Sequence, residues 1–184
     1  MQYLMVDGAG DPNSAQAYQD AVSALFPVAY TLKFASRDQL GIDTVVMPLE
    51  GQWHAPDMES FTSRRDKSAW EWTLMIMVPE HVTREMFDRA VDTVEEKLAK
   101  KKQASPALRS VRLETLDEGL CVQTLHVGSY DDEAPVLDEL HHRFIPENGL
   151  AMTGLHHEVY LSDVRRVDPS KLRTILRQPV ERTG

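Results

Sequence analysis

The chain lacks several features that would point to particular classes of protein. It contains one cysteine, Cys121, so it forms no internal disulfide and offers no cysteine cluster for zinc or an iron–sulfur centre. No stretch approaches the roughly 18 continuous apolar residues of a membrane-spanning helix. The N-terminus also lacks the basic and apolar regions of a signal peptide. We therefore expect a cytoplasmic protein that does not contact membranes.

Basic residues are scarce relative to acidic ones. The sequence has 20 Lys and Arg against 29 Asp and Glu, which gives a formal net charge of −9 at pH 7. This balance argues against the broad positive surface that nucleic acids attract. The run Gly8-Ala9-Gly10 lacks the third glycine of a dinucleotide fingerprint, and neither a Walker motif nor a convincing helix-turn-helix is present. We expect no nucleic-acid partner and no cofactor.

The order of the predicted elements suggests a repeat. The 184 residues are 42% hydrophobic and 27% charged, as in an ordinary globular domain. Strand, glycine turn, helix, strand and strand are predicted over 3–78, and the same order recurs over 120–180. One helix over three strands leaves a sheet face uncovered, and pairing two such units would cover it. We predict an α+β fold, a tandem pair of βαββ modules with a ligand groove between them.

The predicted organisation has three parts within a single domain, 1–184. Residues 1–80 form the first βαββ module, 81–110 a connecting helix and linker, and 111–184 the second module. The sequence leaves the oligomeric state open.

Local signals in the first module give four expectations. Asn13 is predicted to cap the first helix, and Pro27 to kink or split it. A strand is predicted over Val45–Leu49, and Trp53 is expected in the loop that follows it.

The strand richest in polar side chains is predicted over 156–162. Because side chains alternate across a strand, Glu158 and Tyr160 share one face, whereas His157 and Val159 share the other. We expect the more apolar face to meet a helix, and the polar face to meet solvent or the groove. In a partly dry groove Glu158 would act as a general base or acid, or pair with a bound cation. The alternative is a solvated glutamate on an open strand face.

Histidines offer few metal-binding combinations. His156 and His157 are neighbours on a strand, so their side chains point apart and do not chelate one ion. His141 and His142 are predicted on a helix, at boundary and surface positions. No zinc-binding motif is present, and we expect no metal.

Several of the aromatic residues, which make up 7% of the chain, are candidates for groove walls. Trp53 in a loop would pack as a lid or a stacking wall. Trp72 lies on a predicted strand and belongs either to the core or to the groove. Tyr30 and Tyr130 could each border a groove.

Several long segments together resemble the stand-alone GyrI-like small-molecule-binding proteins. They are distributed over nearly the whole chain: 5–13 (MVDGAGDPN), 46–53 (VMPLEGQW), 70–77 (WEWTLMIM), 156–163 (HHEVYLSD) with Arg165 and Arg166, and 172–180 (LRTILRQPV). The resemblance implies tandem βαββ modules with a ligand groove between them. Family members are expected to carry a leader of a few dozen residues before the first of these segments.

The resemblance also implies a function. The wider superfamily includes effector-binding domains of multidrug-responsive transcription regulators, in which an acidic strand residue at the pocket centre meets cationic aromatic drugs. Some stand-alone members are hydrolases that open cyclopropane rings of DNA-alkylating natural products. By resemblance Glu158 is the acid. The expected ligand-binding residues are Trp53, Tyr130, Tyr160, Glu50, Trp72 and Tyr30.

Three functions therefore stand as expectations. The first is binding of small aromatic or cationic xenobiotic molecules in the groove. The second is hydrolysis of a cyclopropane ring, with Glu158 as general base. The third, suggested by the family name, is a protein-interaction role such as modulation of DNA gyrase.

Overall fold

The computed structural model describes residues 1–54 and 70–184. In this part of the chain eight strands form an antiparallel sheet. They are β1 (Gln2–Ala9), β2 (Leu49–His54), β3 (Glu71–Val78), β4 (Arg112–Thr115), β5 (Cys121–Val127), β6 (Leu150–Met152), β7 (His156–Tyr160) and β8 (Arg173–Arg182).

Helices connect these strands. The two long ones are α1 (Gln16–Leu40) and α2 (Arg84–Lys100). A helical segment over 134–147 joins α3 (Ala134–Asp138), a π-helical turn (Glu139–Phe144) and α4 (Ile145–Glu147). Short 3₁₀ turns occupy Leu108–Ser110, Tyr130–Asp132 and Pro169–Lys171. None of the helices in 1–54 and 70–184 combines the length and the apolar character needed to cross a membrane.

The order of the strands places the middle of the sheet at β2 and β7. The order is β4-β1-β3-β2-β7-β8-β5, and β6 pairs with the end of β8. At the central seam Gly51 lies opposite Glu158. The α+β class is confirmed, and two βαββ units joined through their second strands would give this order. The division into modules stays a prediction; β4, which that division assigns to the second module, pairs with β1 in the first half.

The main core lies between the sheet and the two long helices. α1 packs on β1, β3 and α2. Because strand side chains alternate, Leu4 and Leu74 face this core, where Leu25 of α1 is fully buried. Tyr3 and Met75 lie on the opposite face of the sheet, in a smaller buried cluster.

The predicted Asn13 cap of α1 is wrong, and Pro27 does not split the helix; the kink at Pro27 stays a prediction. The helix begins after Ala15, which makes no side-chain cap, and Asn13 instead binds Asp11 in the preceding turn. Pro27 lies inside α1 without splitting it, although proline removes one backbone donor. Leu25 and Val28 on either side are fully buried, and this packing outweighs the lost hydrogen bond.

The second strand lies further along the chain than the sequence suggests. Residues 45–48 have no regular structure, and β2 begins at Leu49. Trp53 is therefore in a strand, not in a loop. The stretch Glu50-Gly51-Gln52 has low intrinsic strand preference, but it is hydrogen-bonded to β3 on one side and to β7 on the other.

Candidate functional site

An open cleft of about 1460 Å³ lies over the central seam of the sheet. Its floor is formed by β2 and β7, and its walls by α1 and by the helical segment 134–147 together with the preceding 3₁₀ turn. The backbone stretches 46–49 and 161–166 also line it. The cleft exceeds the usual size of a small-molecule site, which is roughly 300–1,000 Å³.

Glu158 lies on the floor of this cleft with 13% of its side chain exposed. Its Oε2 accepts a hydrogen bond of 2.7 Å from the Tyr160 hydroxyl, and its Oε1 lies 3.3 Å from Nε2 of His156. Neither partner is a permanent cation. Among residues 1–54 and 70–184, no Lys or Arg lies within ion-pair distance of this carboxylate.

Tyr160 links Glu158 to Trp53. The Trp53 indole N–H donates to the Tyr160 hydroxyl oxygen at 3.0 Å, and that hydroxyl donates onward to Glu158. Burial and the charge of Glu158 raise the pKa of Tyr160 well above its ordinary value, so the hydroxyl remains a donor. Gly51 leaves room for this chain: a Cβ there would lie 3.1 Å from the Trp53 Nε1 and 3.3 Å from the Tyr160 hydroxyl.

Aromatic rings surround the acid. Tyr18 stacks on Trp53 with ring centroids 6.5 Å apart, and Trp70 meets Trp53 edge-on at 5.5 Å. On the other side Tyr130 meets Tyr160 edge-on at 5.6 Å. Burial, followed by the charge of Glu158, raises the pKa of Tyr130 to about 12. Glu158 is therefore surrounded by neutral rings and hydroxyls.

A pair of histidines borders the acid. The ring of His141, in the π-helical turn, lies 5.7 Å from that of His156. Burial, and then the neighbouring His156 and His142, lower the pKa of His141 to about 4. His141 is therefore uncharged at neutral pH.

The expectation that the more apolar face of β7 meets a helix is wrong. Trp53 lies opposite His156 in the sheet register and packs on Tyr18 of α1, so the face with His156, Glu158 and Tyr160 is on the helix side. α1 and the segment 134–147 form opposite walls of the cleft, and the polar face lies in the gap between them. Val159 points to the opposite side.

The candidate residues from the sequence fall into three groups. Glu158, Trp53, Tyr130 and Tyr160 lie together around the cleft, and Tyr30 is at its border, 49% exposed. Trp72 is buried beneath it, covers Gly8 and donates to the Gly10 carbonyl at 3.2 Å. Glu50 is buried on the opposite face of the sheet. Trp72 and Glu50 do not line the cleft.

Glu50 belongs to a buried ionic cluster, the back-face cluster, formed with Glu118, His157 and Arg177. The Nε2 of His157 lies 3.1 Å from Glu50, and its Nδ1 lies 2.9 Å from Glu118. Arg177 contacts the second Glu118 oxygen at 3.2 Å. Burial lowers the pKa of His157, but the two carboxylates outweigh it and raise the pKa overall. Burial alone would raise the pKa of Glu118, but the contacts with His157 and Arg177 outweigh this effect and lower the pKa overall.

Sequence reasoning missed Tyr18, Trp70 and His141 as cleft residues. Residue types and spacing predict only a boundary position on a helix for His141, and they do not distinguish Tyr18 or Trp70 as cleft residues. Their placement depends on which helix faces meet the sheet, which spacing along the chain does not determine. In the part of the chain that the structure describes, no group of three or more His, Cys, Asp or Glu is placed to hold a metal ion.

Known structures resemble this fold. An uncharacterized conserved protein from Listeria innocua is 38% identical, with 98% of this chain and 88% of that chain covered and a TM-score of 0.85. A hydrolase from Listeria innocua is 39% identical, with coverage of 98% and 87% and a TM-score of 0.81. The EcmrR C-terminal domain shares the fold at 11% identity, with coverage of 98% and 91% and a TM-score of 0.58.

A search of curated protein sequences finds no match. The family described as the GyrI-like small molecule binding domain matches residues 1–181, nearly the whole chain. The aromatic cleft over the central seam is consistent with that description. The chain therefore belongs to the GyrI-like small-molecule-binding domain family.

Proposed function

We propose that the cleft binds small planar aromatic molecules, and cationic ones in particular, with Glu158 as the charged contact. The observation that supports this most directly is the position of Glu158. Its carboxylate is nearly buried among aromatic rings, and its two hydrogen-bond partners, Tyr160 and His156, are not permanent cations.

Burying a carboxylate without a counterion carries a free-energy cost. A cationic ligand would supply the missing charge. The rings of Tyr18, Trp53 and Tyr130 would offer stacking and cation–π contacts, each worth roughly 0.5–2 kcal/mol. Other acidic side chains line the same cleft, whereas Arg165 and Arg166, which also line it, are paired with Asp163. The local field therefore favours cations.

The test uses two planar tricyclic probes of similar size, cationic acridine orange and neutral acridone. We expect Glu158→Gln to weaken acridine orange binding about tenfold or more, and acridone binding less than threefold. Fluorescence titration measures both affinities. Asp138→Asn is the matched control, since this carboxylate also lines the cleft but its side chain is 77% exposed. Equal losses for both probes, or no loss for either, would contradict the proposal.

A second candidate function is hydrolysis, favoured by the two solved Listeria innocua hydrolases at 38% and 39% identity. In this reaction Glu158 takes a proton from a water molecule while the water oxygen bonds to a strained cyclopropane carbon. The ring C–C bond breaks, and its electron pair passes into the conjugated system of the substrate, which is then protonated. The net change is addition of one water. The aromatic rings would hold the planar substrate.

Product analysis separates the two functions. If the protein is a hydrolase, a cyclopropane-bearing DNA alkylator is converted into a product heavier by one water, as measured by mass spectrometry. Glu158→Gln should then slow turnover by roughly 10²–10⁴-fold, the usual contribution of a general base. If the compound is recovered unchanged after it has bound, the protein binds it without hydrolysing it. Turnover unaffected by the substitution would remove Glu158 from the catalytic role.

A further inference from the structure

We propose that His141 is a second, uncharged polar contact in the cleft, which hydrogen-bonds to an N–H or oxygen group at the edge of the ligand. The inference rests on the proposed function and narrows its ligand class. The preferred ligand is a planar aromatic cation with a hydrogen-bonding substituent, rather than one with only alkylated nitrogens.

His141 lies in a π-helical turn, Glu139–Phe144, inserted into an otherwise α-helical segment. Such turns are rare, and they frequently occur at functional sites because they redirect side chains. Here His141 is partly buried beside His156, whereas the next residue, His142, has 62% of its side chain exposed and contacts Asp138 at 2.9 Å.

Within residues 1–54 and 70–184, Nε2 of His141 and Nδ1 of His156 are both buried and lack a hydrogen-bond partner. The side chain of His156 is only 9% exposed. Buried polar atoms in native proteins are nearly always paired, and an unpaired one carries a desolvation cost. A ligand group that reaches His141 would recover that cost.

Charge and hydrogen bonding have separate roles in the cleft. An uncharged imidazole does not repel a cation, and its Nε2 either accepts or donates a hydrogen bond depending on the tautomer. Glu158 lies beyond His156, at 3.3 Å from it. His141, His156 and Glu158 thus form one polar edge, and Tyr18 and Trp53 form an aromatic wall. A ligand that fits both carries polar groups along one edge of a flat ring system.

The experiment compares two acridine cations by fluorescence titration. Proflavine carries two amino groups with N–H donors, and acridine orange carries dimethylated nitrogens instead. We expect His141→Leu to weaken proflavine binding about tenfold and acridine orange binding less than threefold. His141→Gln keeps a hydrogen-bonding group and should restore most of the preference. His142→Leu, at the exposed neighbouring position, should change neither affinity.

The outcomes separate this inference from the function on which it depends. If His141→Leu weakens both probes equally, its role is packing and the inference fails while the binding function stands. If it weakens neither, His141 does not contact the ligand. If the wild-type protein binds neither probe, the proposed function fails for this ligand class and the inference fails with it.

Discussion

Two clusters that pair histidine with glutamate lie back to back across the same two strands, and they differ in how their charges are balanced. On the back face, Glu50 and Glu118 surround His157, which is fully buried, and Arg177 completes the set. On the cleft face, Glu158 contacts His156 and the Tyr160 hydroxyl. Neighbouring residues in β7 therefore enter opposite environments, one closed and one open to ligands.

The difference shows that the presence of a buried glutamate does not by itself mark a binding site. The back-face carboxylates have cationic partners within the fold, so the cluster joins β2, β7 and β8 and leaves no charge for a ligand. Within residues 1–54 and 70–184, the cleft carboxylate has no Lys or Arg partner, and the open cleft lies beside it. Substitutions on the two faces should therefore separate stability from binding.

The largest expected effect is on stability, from His157→Leu. Removing this side chain leaves two buried carboxylates with Arg177 as their remaining partner in the cluster, and we expect a loss of about 3–5 kcal/mol in the free energy of unfolding. Urea denaturation measures it. The matched control is His156→Leu on the cleft face, which should cost less than about 1 kcal/mol. Similar losses for both would contradict the distinction between the faces.

The next expected effect is a pH dependence of that stability. Folding raises the pKa of His157. The stability that this residue contributes is therefore fully present below the ordinary histidine pKa of 6.5, and it is lost as pH rises through the pKa of His157 in the folded protein. Folding lowers the pKa of Glu118. The stability that this residue contributes is therefore fully present above the ordinary glutamate pKa of 4.5, and it is lost as pH falls through the pKa of Glu118 in the folded protein.

Urea denaturation at a series of pH values tests both signs. Wild-type stability should be highest in the interval between the two transitions. The stability advantage of the wild type over His157→Leu should shrink as pH rises from 6.5 through the pKa of His157 in the folded protein. An advantage that grows with rising pH would show that His157 is not held as a cation.

A smaller effect on stability than that of His157→Leu is expected from Gly51→Ala, which tests the cleft face. The added methyl would press on the Trp53 indole N–H and the Tyr160 hydroxyl and disturb the hydrogen bonds that position Glu158. We expect a stability loss of about 1 kcal/mol and a several-fold weaker affinity for acridine orange. An unchanged affinity for acridine orange would mean that the hydrogen bonds from Trp53 to Tyr160 and from Tyr160 to Glu158 do not position the carboxylate for binding.

Part of this architecture is predictable from sequence. The alternation in β7 correctly places Glu158 and Tyr160 on one face, and the resemblance identifies the family. The α+β class also follows from the order of elements. These features depend on local periodicity or on long sequence motifs, which a single chain displays directly.

The features that the sequence does not predict depend on how segments that are distant in the chain pair and pack. Glu50 is expected from the sequence to bind the ligand together with Glu158. In the sheet, however, Gly51 lies opposite Glu158, so the side chain of Glu50 points to the back face. A register difference of one residue reverses the face, and it is set by contacts between distant strands. The direction of the His141 side chain depends on a π-helical turn that residue spacing does not reveal. The gyrase-related role stays a prediction.

The central claim is that the cleft holds an aromatic cation against Glu158. A crystal structure of the complex with acridine orange tests it most directly. The account predicts the ring system in the cleft between α1 and the segment 134–147, with a cationic nitrogen within about 4 Å of the Glu158 carboxylate. A ligand bound elsewhere, or one bound in the cleft with its charge directed away from Glu158 into solvent, would contradict the claim.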